Sequence, residues 1–255
     1  MAKTAAKTAT ATSTQKKIIT ARKATPFASS EWRPRWPKES LEAKRERYAR
    51  IYEELRKLYP DAKCALEFSN PFELVVATIL SAQCTDKRVN MVMPDVRANF
   101  PTPRSLADAD PEHVEKVIQS TGFFRQKTKS LQSMAKDVVG RFSGKVPSTM
   151  EELTTLRGVG RKTANVVLGD AFGKAEGIAV DTHVTRLSGR LALSKNTDPE
   201  AIEQDLMKLA PQDRWTLTSH VLILHGRNIC DARRPKCSEC VVAEYCPSAG
   251  MPGSV

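Results

Sequence analysis

The run CDARRPKCSECVVAEYC, Cys230 to Cys246, puts four thiols at the spacing C-x6-C-x2-C-x5-C. Thiols this close together, in a chain that reads without a secretory leader, predict a metal centre, with a pair of disulfides as the alternative. Cys230, Cys237, Cys240 and Cys246 are the predicted ligands. Zinc and a [4Fe–4S] cluster both accept four thiolates. Zinc ribbons usually carry two C-x-x-C pairs and this run has one, so the unequal gaps favour one [4Fe–4S] cluster and leave zinc open. Four cysteine ligands leave no coordination site for a substrate, which predicts a scaffold. Ligation at both ends would stiffen the loop DARRPK and present Arg233, Arg234 and Lys236 to phosphates, unless they are merely a solvated charge run. Cys64 and Cys84 stand alone and read as small buried hydrophobes.

The rest of the chain punctuates helices. Asn70-Pro71, Asp110-Pro111 and Asp198-Pro199 each pair a capping side chain with a proline suited to the first helical position. Ser148 followed by Glu151 reads as a capping box, and Gly122 closes the helix begun at Pro111. Tyr48, Ile51, Tyr52, Leu55, Leu58 and Tyr59 fall on one face at three- and four-residue spacing, and Pro60 ends that helix. WTLTSHVLILHG is apolar enough to be buried. There is no sustained period-two run, no Asn-Gly hairpin turn and no long internal repeat, so the fold class is all-α. The segment EWRPRWPKES reads as a proline-broken linker whose tryptophans either dock on the fold or stay exposed.

Net charge is +11, from 40 Lys and Arg against 29 Asp and Glu, which points to a polyanion and first to nucleic acid. No apolar run is long enough for a transmembrane helix, and no membrane partner is expected. Residues 1–30 hold six Lys or Arg and no acid among Ala, Thr and Ser, the composition of a disordered basic tail. That tail also resembles an organellar transit peptide. A DNA-seeking role is preferred, with the cytoplasm or nucleoid as the expected location.

LRGVGRKTANVV, Leu156 to Val167, sets Gly158 and Gly160 around Val159, then Arg161 and Lys162 at the head of an apolar helix. Both glycines are expected to turn with positive φ, and the amides that follow to form a nest for a DNA phosphate. With TMEELTTL before it, the segment reads as a helix-hairpin-helix. Two cations at a helix N-terminus face the positive end of its dipole, an awkward place for a lysine. In AVDTHVTRLSGRL, Asp181 is suited to cap the next helix, and the same carboxylate could also serve a partner across a cleft.

LRGVGRKTANVV, AVDTHVTRLSGR, LSAQCTD, ILHGRNIC and the cysteine spacing together resemble the endonuclease III family of DNA glycosylases with lyase activity, over about residues 48–247. The sequence departs from the family's usual pattern at Arg157, where proline is common, at Cys84, where alanine is common, and within TGFFRQKT. The resemblance implies two helical lobes. One is a six-helix barrel-like domain over 64–176 with the helix-hairpin-helix at about 150–172; the other is an iron–sulfur domain from 31–63 and 177–249, followed by a tail at 250–255. It implies a monomer acting on double-stranded DNA that contains damaged pyrimidines or abasic sites, with the lesion flipped into the interlobe cleft.

Residue by residue, the resemblance implies that Gln83 fills the vacated stack and Phe123 wedges the opposite strand. Gly158, Val159, Gly160 and Arg161 would grip the backbone, and His183 would contact a phosphate or the flipped nucleotide, or else pack between helices. Lys162 would attack the anomeric carbon and form a Schiff base, with Asp181 stabilising the sugar cation. A nucleophilic amine must be neutral, whereas lysine ordinarily titrates near about 10.4. The helix head, Arg161 and burial in the cleft are expected to disfavour the charged amine, and Asp181 to favour it. The rival readings are an adenine-mismatch glycosylase and a non-catalytic helix-hairpin-helix protein with structural zinc.

Overall fold

A computed structural model describes residues 36–250. The basic tail at 1–30, Trp32 and residues 251–255 lie outside the described residues. In chain order the helices are α1 Leu41–Leu58, α2 Pro71–Leu80, α3 Asp86–Asn99, α4 Pro103–Ala107, α5 Pro111–Ile118 and α6 Phe124–Arg141. They continue as α7 Met150–Thr154, α8 Arg161–Val166, α9 Thr182–Arg190, α10 Pro199–Leu209 and α11 Trp215–Asn228. Short 3-10 turns fill several links, and among the described residues there is no strand.

The predicted caps are made. Asn70 Oδ1 accepts the Glu73 amide at 3.0 Å, and Asp198 Oδ2 accepts the Ala201 amide at 2.9 Å. Asp110 caps α5, and Gly122, with φ of 71°, ends the turn that follows it. Two expectations need correction. The cap of α7 is Thr149 rather than Ser148, because Glu152 and not Glu151 lies three residues further on; the Thr149 hydroxyl accepts the Glu152 amide at 3.3 Å. Ser148 Oγ instead accepts a bond from Lys174 Nζ at 2.9 Å. On α1 the buried stripe is Tyr48, Ile51, Tyr52 and Leu55, while Leu58, on the last turn, is 40% exposed. Trp36 is half-buried, with Lys195 Nζ 5.4 Å from its ring centre.

Buried apolar side chains form two clusters. The first runs from Leu66 to Leu168 and takes in α2 to α8. The second joins Tyr48–Leu55 of α1 to residues between Ile178 and Val242, so the chain starts in one lobe, builds the other and returns. Charged and histidine side chains tie the lobes together. Arg161 Nε lies 2.6 Å from Glu203 Oε2, Arg227 Nη2 lies 2.8 Å from Asp86 Oδ2, and His220 Nε2 lies 2.8 Å from Asp170 Oδ1. Asp170 sits in a π-helical turn, Val167–Ala171, that continues α8; the wider turn brings its carboxylate to α11.

Candidate active site

The turn between α7 and α8 is built on one glycine rather than two. Gly158 has φ of 87°, and a Cβ there would lie 3.3 Å from both Ile79 Cγ1 and Ser130 Cβ. The left-handed backbone and the close packing on α2 and α6 both require glycine. Gly160 departs from the expectation of positive φ: it is extended, with φ −91° and ψ 177°, and a Cβ there would meet nothing within 4 Å. As the residue before α8 it brings no capping side chain. The first amides of α8 therefore stay available to an anion. Val159 is buried in the first core, which leaves its backbone for contact. Arg157 is exposed, so the position where proline is common carries no packing here.

Arg161 does not behave as the sequence predicts. Its guanidinium grips Glu203 of α10 through Nε at 2.6 Å and Nη2 at 3.1 Å, and Asn165 Nδ2 adds a bond to the same carboxylate at 2.8 Å. The Glu203 side chain is 3% exposed, and its hydrogen bonds, helped by its charge, push Arg161 further up from the usual guanidinium range. Arg161 is thus neutralised and is no source of repulsion for Lys162. Lys162 is itself exposed on the cleft wall rather than partly buried. Gly177 passes so close to Glu203 and Asn165 that a Cβ would overlap them, with Asn165 Oδ1 only 2.6 Å from its position. This close passage leads the returning chain to Asp181.

Asp181 caps α9 with a single oxygen: Oδ1 accepts the amides of His183 and Val184, both at 2.8 Å. Oδ2 is left for other work, and Asp181 lines the same cleft as Lys162. The cleft holds about 600 Å³, within the range of small-ligand sites. Gln83 and Phe123 stand on its lips. Both have left-handed backbones, with φ of 52° and 47°, and Phe123 is 66% exposed. Non-glycine residues in that region store strain on the order of 1 kcal/mol each, a mark of functional loops.

Several cleft residues were not singled out from the sequence. Ser219 and His220 of α11 put polar groups on a largely apolar floor, beside Cys64. Burial pushes the Cys64 thiol up to about 12. Cys64 and Cys84 both pack against the first core, as expected of small hydrophobes. The available signal was a Ser-His pair inside an otherwise apolar helix. His183 is not on the cleft. Its Nδ1 lies 3.1 Å from Arg186 Nη2, and burial lowers its pKa. It takes the packing role between α9 and α11.

The four cysteines carry free thiols that share one pocket. Cys230, Cys237, Cys240 and Cys246 all line that pocket, a donor set of four thiols that fits a thiolate-ligated metal centre. Arg190 of α9 is the missed organiser. It is 2% exposed, and its guanidinium donates to the Cys230 carbonyl at 3.2 Å, the Asp231 carbonyl at 2.7 Å, the Ala232 carbonyl at 2.8 Å and Cys230 Sγ at 3.2 Å. Its Nε is buried without a partner, a cation fitted to an anionic thiolate cluster. Asp231 Oδ1 accepts the Arg233 and Arg234 amides at 2.8 and 3.0 Å, and Arg233, Arg234 and Lys236 are exposed.

Residues 76–212 match the family described as HhH-GPD superfamily base excision DNA repair protein, and residues 230–246 match the iron-sulfur binding domain of endonuclease III. The second match falls on the four cysteines and favours a [4Fe–4S] cluster over zinc. Endonuclease III of Synechocystis sp. is 53% identical over 209 residues, 82% of this chain and 95% of that protein. Endonuclease III of Bacillus subtilis is 43% identical over 190 residues, 74% of this chain and 86% of that protein. A trapped endonuclease III–DNA covalent intermediate, 39% identical, has a TM-score of 0.76 and covers 80% of this chain and 96% of its own. A thermostable thymine-DNA glycosylase, 20% identical, shares the fold with a TM-score of 0.74.

The two hairpin glycines should separate in urea unfolding. Gly158→Ala is expected to cost about 1–2 kcal/mol, and Gly160→Ser to stay within about 0.5 kcal/mol of the parent. Equal losses would contradict the assignment of their roles. Arg190→Met should lower both the iron bound per chain and the broad absorption near about 400 nm. Full iron content in that variant would show that the clamp is dispensable.

Proposed function

Because this chain belongs to the endonuclease III family, we propose that Lys162 and Asp181 are its catalytic pair and that oxidised pyrimidines such as thymine glycol are its substrates. Its activity is that of a base-excision DNA glycosylase with AP lyase activity, DNA is its partner, and one [4Fe–4S] cluster is its cofactor. One observation carries the residue assignment. Lys162 from one lobe and Asp181 from the other line the same cleft, below two lips that expose Gln83 and Phe123.

In this reading a damaged nucleotide, cheaper to unstack than an intact one, leaves the duplex and enters the cleft. Lys162 Nζ attacks C1′ of its sugar, the C1′–N bond breaks, and the base departs with a proton. The resulting amine adduct opens to a Schiff base. Loss of the C2′ proton then expels the 3′ phosphate, leaving an unsaturated aldehyde and a 5′ phosphate. Asp181 Oδ2 stabilises the cationic sugar as the base leaves, while Oδ1 remains committed to the helix cap. Since Lys162 is exposed in the free protein, its desolvation comes with the DNA that closes over the cleft.

The Gly158–Gly160 turn and the head of α8 receive a backbone phosphate, and Arg233, Arg234 and Lys236 add further phosphate contacts. When bound, the cluster supplies a rigid scaffold for that basic loop. Action as a monomer belongs to the same proposal.

Lys162→Gln should abolish borohydride-trapped adducts on abasic duplex while leaving DNA binding within about threefold of the parent. Continued trapping would sink the assignment. The double role of Asp181 is separable, because asparagine caps as well as aspartate. Asp181→Asn should keep stability and lose about 100-fold or more in base removal, and Asp181→Ala should lose about 1 kcal/mol of stability as well. Normal turnover in Asp181→Asn would return the residue to capping alone.

A further inference from the structure

Lys127 is a buried cation whose role none of the preceding chemistry uses. It lies on the first turn of α6, is 4% exposed, and donates from Nζ to two backbone carbonyls, Leu80 and Thr121, at 2.8 Å each. Burial lowers its pKa, and both bonds of its ammonium group go to carbonyl oxygens rather than to a carboxylate. Carbonyls at a helix C-terminus carry the negative end of the dipole, which compensates a buried cation in place of an acid.

The two carbonyls sit at informative places. Leu80 ends α2, and three residues later comes Gln83, exposed and left-handed at φ 52°. Thr121 ends the 3-10 turn Gln119–Thr121, and two residues later comes Phe123, 66% exposed and left-handed at φ 47°. One ammonium group therefore ties together the roots of both lips. The neighbouring anchors are local: Thr121 Oγ1 donates to the Ile118 carbonyl at 2.8 Å, and Ser81 Oγ donates to the Thr78 carbonyl at 2.8 Å. Each of those stiffens its own loop and neither bridges to the other.

We propose that Lys127 is a positioning residue that sets the separation of Gln83 and Phe123, so that both enter a duplex together when a nucleotide is flipped. The proposal rests on the glycosylase reading above and deepens it. Two strained loops held only by their own backbones could each adopt a relaxed conformation. A shared strut through a rigid helix makes their spacing a property of the folded protein, before any DNA arrives. Preorganisation of this kind matters because a shift of about 1 Å in a positioning group can cost about 100-fold in rate.

The test compares duplex with single-stranded abasic DNA, since only the duplex needs two lips inserted into a stack. In Lys127→Met, kcat/KM on abasic duplex should fall about tenfold or more, chiefly through KM. Borohydride trapping on a single-stranded abasic oligonucleotide should stay within about twofold of the parent. A 2-aminopurine placed opposite the abasic site should lose the fluorescence rise that accompanies unstacking. Lys127→Arg, which keeps a charged donor, should recover part of the duplex activity.

If Lys127→Met does not fold, Lys127→Gln is read by the same criteria, because its amide keeps two N–H donors. Equal changes on duplex and single strand, or no change on either, would overturn the proposal. Loss of single-strand trapping in Lys127→Met would also overturn it, by making Lys127 part of the chemistry. Failure of the Lys162 assignment reads out separately, as trapping that survives in Lys162→Gln.

Discussion

Glu203 is the residue on which the geometry of the cleft depends. It reaches from α10 in one lobe to the head of α8 in the other, and holds Arg161 with two bonds and Asn165 with a third. The lobes have separate hydrophobic cores. A bidentate pair between them adds alignment, since its energy depends steeply on geometry and breaking it strands the buried Glu203 charge. Lys162 is the next residue after Arg161, so the pair that bridges the lobes also positions the proposed nucleophile. Gly177 lets the returning chain pass directly over this carboxylate and continue to Asp181. The proposed catalytic pair is thus brought to one cleft by a contact that has no part in the proposed reaction.

Much of this protein was legible in its sequence because the signals are local. Asn70, Asp110 and Asp198 sit one residue before a proline, and each caps a helix as that pairing dictates. The cysteine run announced a four-thiolate centre and left zinc open beside the [4Fe–4S] cluster, and Lys162 and Asp181 stood in motifs specific enough to name a family. What stayed hidden depends on partners far away in the chain. Arg161 looked like a free cation at a helix head, because nothing nearby reveals a glutamate 42 residues on. Nothing in FRQKTKS marks Lys127, yet its ammonium is spent on two carbonyls inside the fold. Arg190 likewise showed nothing of its hold on the Cys230–Ala232 backbone. Gly160 failed for a different reason. The spacing G-x-G suggests two special backbones, but only the glycine packed against Ile79 and Ser130 needs one.

The arginines and lysines divide into two kinds. Arg161, Arg190 and Lys127 are turned inward and hold backbone or carboxylate in place. Lys162, Arg233, Arg234 and Lys236 face outward, where a polyanion can reach them. A net charge of +11 predicts an anionic partner, but it does not say which cations meet that partner. The structure separates inward-turned framework cations from exposed ones that a polyanion can reach.

The exposed amine of Lys162, rather than any of the other lysines near the cleft, is the group proposed to form the bond to the sugar, and this assignment can be measured directly. Peptide mapping of the parent enzyme after borohydride trapping on abasic duplex addresses it without any substitution. Digestion and mass spectrometry should place the reduced adduct on the peptide containing Lys162 and on no other. An adduct on Lys63, on Lys127 or on the chain's N-terminal amine would contradict the account.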